Sequence, residues 1–304
     1  MNKMIDSFLD YLKYERRYSA HTLISYSNDL RQFLDYLTKN YEDISSLDMI
    51  DKDIARNWII YLMDNKIATS SVKRKLSALR SLFKYLVNKE IISANPLRLL
   101  ESPKGQHPLP YFVRETAMVA LLDQESEDET FETVRDRLML ELLYDTGIRR
   151  AELVSINNSD IDYDNLLLLV TGKRNKQRFI PFGERLKKLM IAYMKIRNYT
   201  VGVENGKFFV NKKGHPLSTD SVYNIVRKRL SRIPTLSKCS PHVLRHSFAT
   251  SMLNDGAELN VVKELLGHSS LSSTEIYAHT TFEELKKMYH AHPRAKKEGV
   301  FYGH

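Results

Sequence analysis

Residues 240–277 read SPHVLRHSFATSMLNDGAELNVVKELLGHSSLSSTEIY, and the rest of the chain is organised around them. Ser240 followed by Pro241 marks a helix start, a hydroxyl at the N-cap and then a proline at the first helical position. On that helix His242 and Arg245 stand three residues apart and share a face. The pattern predicts an end near Asp255 and Gly256, a second helix over residues 260–266, and a stop at Gly267. His268 then falls at a chain reversal that aims it. Tyr277 follows nine residues later, after Ser272 and Ser273, which suit the cap of a last short helix. Two histidines, an arginine and a tyrosine gathered in this way suit phosphoryl transfer with a phenolic nucleophile. His242 and His246 also have the spacing of half a zinc site. With no acidic residue between them and one cysteine, Cys239, in the whole chain, no metal is expected.

Upstream of this stretch the pattern mixes helices with a little sheet. Residues 131–144 are an apolar-periodic helix that should end at Gly147, and YDTGIRRAEL then opens a new helix carrying Glu152. The β-rich runs 166–170 and 178–182 flank TGKRNKQ, a hairpin signal that puts Lys173, Arg174 and Lys176 on the turn. Residues 184–197 form an amphipathic helix and 206–217 a small hairpin. Ser218 caps a helix over 219–231, whose Arg227, Lys228, Arg229 and Arg232 suit contact with a nucleic-acid backbone or major groove. The acidic stretch 123–132 reads as a solvated loop. Beyond Tyr277, Phe282, Leu285 and Met288 share one face of a short helix over 282–289 that needs a groove to cover it.

The first ninety residues read as four helices. Residues 7–14 carry Phe8, Leu9 and Leu12; Ser19 caps the second helix, Asp51 the third, and the fourth follows Thr69 or Ser70. The polar face of the fourth presents Lys73, Arg74, Lys75, Arg80 and Lys84, with no acidic residue between Asp64 and Glu90. That imbalance favours a helix laid on DNA phosphates over a merely solvated face. Four prolines and a glycine make residues 95–110 a linker. The expected organisation is therefore a helical domain over 1–94, the linker, and a second domain over 111–304.

Composition agrees with a DNA-handling chain. The 304 residues are 42% hydrophobic and carry a formal net charge of +9. Both parts are basic, with 17 Lys+Arg against 13 Asp+Glu over 1–105 and 29 against 24 over 106–304, which favours a polyanionic partner. The lone cysteine excludes an internal disulfide and fits a reducing cytosol. No apolar run approaches the roughly 20 residues of a membrane span, and MNKMIDSF lacks a signal-peptide core. A cytoplasmic protein without a membrane partner is expected.

The motifs H-x-L-R-H and L-L-G-H-S, with a tyrosine nine residues after the second histidine, resemble the tyrosine recombinase (phage integrase) family. Within it the likeness is to the Xer-type recombinases, and the tail HPRAKK at 292–297 leans towards their XerC branch. The resemblance implies a mainly α fold with a small β-sheet, made of an N-terminal helical core-binding domain and an α+β catalytic domain. It implies that Arg149, Lys173, His242, Arg245, His268 and Tyr277 are catalytic and that Glu152 supports them. The family pattern on the hairpin is G-K-G-N-K. Here Arg174 replaces its glycine, which can stiffen the turn or add a phosphate contact, and Lys176 remains an alternative to Lys173 as the catalytic lysine.

The reaction implied is transfer of a DNA phosphodiester to a tyrosine and then to another strand, with no cofactor because the bond energy is kept in the phosphotyrosine. The implied assembly is a tetramer on two double-stranded DNA sites, with or without a second Xer-type recombinase. It would serve resolution of chromosome or plasmid dimers. Two other classes use the same residues differently: a type IB topoisomerase, which would relax supercoils alone, and a DNA-binding protein with a dead site.

Overall fold

The computed structural model describes residues 1–103, 111–123, 130–172, 175–202 and 206–267. The expected catalytic Lys173, His268 and Tyr277, Arg174 on the hairpin, and the helix at 282–289 lie outside the described residues. The chain divides into two compact units, Met1–Pro108 and Leu109–His304.

The N-terminal unit is helical, with α1 (Asn2–Asp10), α2 (Ala20–Asn40), α3 (Lys52–Asp64) and α4 (Thr69–Asn88). Ser19 and Asp51 cap as expected, each accepting from the backbone N–H three residues on. Two boundaries differ. Helix α1 starts earlier than residue 7 because Ile5 extends the apolar stripe of Phe8 and Leu12, and it passes into a π-helical turn over Tyr11–Glu15. Helix α4 starts at Thr69 with Ala68 as its N-cap, so no side chain caps it. Its stripe of Val72, Leu76, Leu79, Phe83 and Leu86 packs on Phe33, Leu37 and Trp58. Leu97 and Leu100, within the stretch read as linker, are buried in this same core.

The polar face of α4 is corrected by an acid from another helix. Asp29 of α2 is 1% exposed and accepts from both Arg74 and Lys75, and Lys75 also donates to Gln32. Lys75 is therefore buried between helices and not on an open face. Arg80 donates to Ser102 and to the Leu100 carbonyl. Of the five cations, Lys73 is half-buried, and Arg74 and Lys84 are exposed. Counting charges along one helix missed Asp29 because it lies 45 residues before Arg74.

The C-terminal unit is α+β. Helix α5 (Glu115–Asp123), unanticipated in the sequence, precedes α6 (Phe131–Thr146) and α7 (Arg150–Ser155). Of the stretch expected as an acidic loop, residues 124–129 lie outside the described residues; Asp123 ends α5 and Glu132 lies in the first turn of α6, where it pairs with Lys212 at 2.6 Å. A three-stranded antiparallel sheet follows, β1 (Ile161–Asp162), β2 (Leu167–Thr171) and β3 (Gln177–Pro181), in the order β1-β2-β3. Leu168 pairs with Ile180 and Thr171 with Gln177, one residue out from the expected strand limits. The remaining helices are α8 (Glu184–Thr200), α9 (Thr219–Leu230), α10 (Pro241–Asn254) and α11 (Leu259–Leu266). Ser218 caps α9 through the Ser221 N–H. Residues 206–217 contribute antiparallel bridges, Asn157 to Lys207 and Val210 to Pro216, with Phe208 and Phe209 buried in the core. Among the described residues, no helix is long and apolar enough to cross a membrane.

Candidate active site

Helix α6 ends in Gly147, which is left-handed at φ +62°. A Cβ there would lie 2.5 Å from the Phe248 ring and 2.8 Å from Leu266, so only glycine lets α6 close against α10 and α11. The chain turns and places Arg149 at the N-cap of α7. Glu152, three residues into that helix, accepts the Arg149 backbone N–H at 2.8 Å, the carboxylate half of a capping box, and pairs with its Nη1 at 2.9 Å, since a guanidinium can only donate. The hairpin β2–β3 begins beside this carboxylate, with Gly172 N–H donating to the Lys176 carbonyl at 2.7 Å and Lys176 itself exposed.

Helix α10 begins at Pro241 with Ser240 in the N-cap position. Ser240 does not cap: its hydroxyl is buried without a partner among the described residues. His242 and Arg245 share the face expected of their spacing. Helix α11 runs to Gly267, left-handed at φ +64°, as the sequence predicted.

A short helix ends with carbonyls that no helical N–H satisfies, at the negative end of its dipole. In α11 three successive ones each receive an arginine. Arg178 Nε donates to Leu265 O at 2.8 Å, Arg245 Nη2 to Leu266 O at 2.6 Å, and Arg149 Nη2 to Gly267 O at 3.2 Å. Arg245 also donates to the Gly147 carbonyl at 2.7 Å. Helix α11 is therefore the template that brings Arg149, from 118 residues away, beside Arg245. Arg149 keeps 37% of its side chain exposed, so the pair opens to solvent on one side.

The electrostatics follow from three guanidiniums around one carboxylate. Burial alone would raise the Glu152 carboxyl, but Arg178 and Arg149 outweigh it and hold the group below its ordinary value. Burial and then the charge of Arg149 bring Arg245 down to about 10, with Glu152 opposing, so it stays charged at neutral pH. His242 is exposed, yet the part of its ring against the protein is desolvated. This, with the charges of Arg150, Arg245, Lys238 and Arg149, holds it below the usual histidine value and neutral near pH 7. The arrangement is one that meets a doubly or singly charged oxyanion with fixed donors and a neutral imidazole beside it.

Arg227 and Lys228 are exposed on α9, and Arg229 lies 3.9 Å from Asp136. Sequence reasoning missed two residues here. Arg150 stacks over Tyr223, its guanidinium 5.6 Å from the ring centre, and faces His242 electrostatically. Arg178 is the buried partner of Glu152. Its inward position was legible, since it alternates in phase with the buried Ile180 along β3, but its partner was not.

Comparison with known proteins places this chain among them along nearly its whole length. Residues 112–284 match the model of the phage integrase family, and residues 5–90 match the phage integrase N-terminal SAM-like domain. The tyrosine recombinase XerC of Staphylococcus saprophyticus is 42% identical over 98% of this chain and 100% of that protein. That of Staphylococcus carnosus is 40% identical over 98% and 100%. A crystal structure of XerH site-specific recombinase bound to palindromic difH substrate is similar in fold, with a TM-score of 0.72 at 23% identity over 94% of this chain and 84% of that one.

Proposed function

We propose, for a chain that belongs to the phage integrase family and is a site-specific tyrosine recombinase, that it cuts and rejoins double-stranded DNA through a 3′-phosphotyrosyl intermediate on Tyr277. The observation that carries the reading is the shared bonding of Arg149 and Arg245 to the end of α11, with His242 one turn before Arg245. Two planar, permanently charged forks side by side match two non-bridging phosphate oxygens, where charge grows in the transition state. His268 adds a further donor.

In the first step the Tyr277 phenolic oxygen bonds to phosphorus in line and the bond from phosphorus to the 5′-oxygen breaks. Neutral His242 takes the phenolic proton, and Lys173 gives a proton to the departing 5′-oxygen. The 5′-hydroxyl of another strand then attacks the phosphotyrosine, and the protons return by the same groups. The phosphodiester energy stays in the covalent link, so the cycle needs no nucleotide or metal to drive it.

Lys73, Lys84, Lys176, Arg227 and Lys228 are proposed to contact the DNA backbone. The assembly is a tetramer on two sites, alone or with a second recombinase of the same type, and its task in the cytoplasm is resolution of chromosome or plasmid dimers. This rests on the similarity to XerC along the chain. The test is exchange between two labelled duplexes carrying a site footprinted with the wild-type chain. Wild type should yield recombinant strands and Tyr277→Phe should bind without exchanging. Relaxation of supercoils by a monomer without exchange would replace the recombinase reading.

A further inference from the structure

Arg178 is a charged residue for which the chemistry above has no use. It is 5% exposed, on the inward side of β3, and a charge held there requires partners for its donors. All three guanidinium nitrogens have one. Nη1 and Nη2 meet the two oxygens of Glu152 at 3.1 and 2.9 Å, and Nε meets the Leu265 carbonyl at 2.8 Å. One planar fork thus ties β3 to α7 and to the end of α11. A lysine has donors enough but cannot hold a carboxylate edge and a carbonyl together in that geometry.

Two glycines close on the same fork. At Gly267 an added Cβ would stand 3.0 Å from Arg178 Nη1, and at Gly172 it would stand 3.2 Å from Glu152 Oε1 and 3.5 Å from Arg178 Nη1. The backbone therefore runs directly against the Glu152–Arg178 pair both where the hairpin begins and where α11 ends. The other contacts of these two partners lead to Arg149 through Glu152, and to the carbonyls that Arg245 and Arg149 use through Leu265.

We propose that Arg178 is a positioning residue of the recombinase: without touching DNA, it sets the register of the last α11 carbonyls against Glu152 and so fixes where the Arg149 and Arg245 forks meet phosphate. The inference rests on the active-site reading above. A pair kept only for stability would be replaceable by a neutral pair of similar size, because buried ion pairs add little net stability over such a replacement. A positioning pair is not, since an error of about 1 Å in a catalytic group costs on the order of 10²-fold in rate.

The experiment measures single-turnover formation of covalent adduct on a saturating nicked duplex of the footprinted site, with DNA affinity and thermal unfolding alongside. Arg178→Lys should melt cooperatively and bind DNA within about threefold of wild type, yet form adduct on the order of 10²-fold more slowly. Adduct formation by Arg178→Lys at the wild-type rate would overturn the proposal. If that variant fails to fold, the neutral pair Glu152→Gln with Arg178→Gln is compared with Glu152→Gln alone. A further loss in the double variant supports Arg178 as a positioning residue, and equal rates reject it. Wild type and Tyr277→Phe on the same duplex keep the two claims apart: an adduct missing from the first or present in the second removes the active-site reading itself.

Discussion

Asp29 in the N-terminal unit and Glu152 in the C-terminal unit are both carboxylates nearly sealed from solvent, and each gathers two cations. Their surroundings differ. Arg74 and Lys75 end on Asp29, Gln32 and the Ser25 carbonyl, so their donors close a link between α2 and α4. Arg149 and Arg178 go on past Glu152 to the end of α11, where Arg245 joins them. Two cations ending on one acid make a strut. Three guanidiniums gathered at one helix end, with a neutral histidine beside two of them, make a place for an anion. The meaning of a basic residue thus depends on where its acid comes from, which can be far away in sequence.

The contrast is sharpened most by the lysine expected to complete the open cluster. An alkoxide leaves poorly unless protonated, whereas a thiolate needs little help. Lys173→Ala should cleave ordinary DNA ~10²–10⁴-fold more slowly. Sulfur in place of the bridging 5′-oxygen should restore most of that rate. Arg245→Ala, which removes charge stabilisation, should stay slow with either atom. Rescue of Lys176→Ala and not Lys173→Ala would move the general acid along the hairpin.

Breaking the two carboxylates separates strut from site. Asp29→Ala strands a buried lysine and should lower stability to urea by about 3–5 kcal/mol, leaving adduct formation at saturating DNA within about threefold. Glu152→Ala should lose stability and also about 10²-fold in rate, because Arg149 and Arg178 lose their common anchor. Equal rate losses in the two variants would erase the distinction.

The third expectation concerns pH. His242 is held below the usual ~6.5 of histidine, so its neutral, proton-accepting form persists through mild acid. The cleavage rate should fall only as pH drops through a value under that figure, about tenfold per unit, and this limb should vanish in His242→Ala measured against pH. The smallest effect is on the open side of α4. Lys73→Ala with Lys84→Ala should weaken binding to all DNA sequences a fewfold and reduce the salt slope of log K by about 0.9 per lost phosphate contact. A loss confined to one sequence would make these lysines readers of bases.

Much of this was legible in the chain. Ser19, Asp51 and Ser218 could be assigned as caps because capping is decided within four residues. Gly147 and Gly267 could be read as helix ends for the same reason. Ser240 failed because its hydroxyl is turned away and buried, a matter of packing. Helix α5 failed because its apolar residues are not confined to one stripe, so no period stood out. Lys75 and Arg178 needed partners 46 and 26 residues away, a pairing that only the fold reveals. Arg149 and Arg245 could be named from motif, but not what brings them together, since backbone carbonyls at the end of α11 have no letter in the sequence.

The most direct test of the central claim is to locate the covalent bond. Wild-type chain is trapped on a nicked duplex of its footprinted site, digested with protease, and the DNA-linked peptide is identified by mass spectrometry. One adduct is expected, on the peptide containing Tyr277, joined to a 3′-phosphate. An adduct on Tyr289 or any other residue, or a link to a 5′-phosphate, would contradict it.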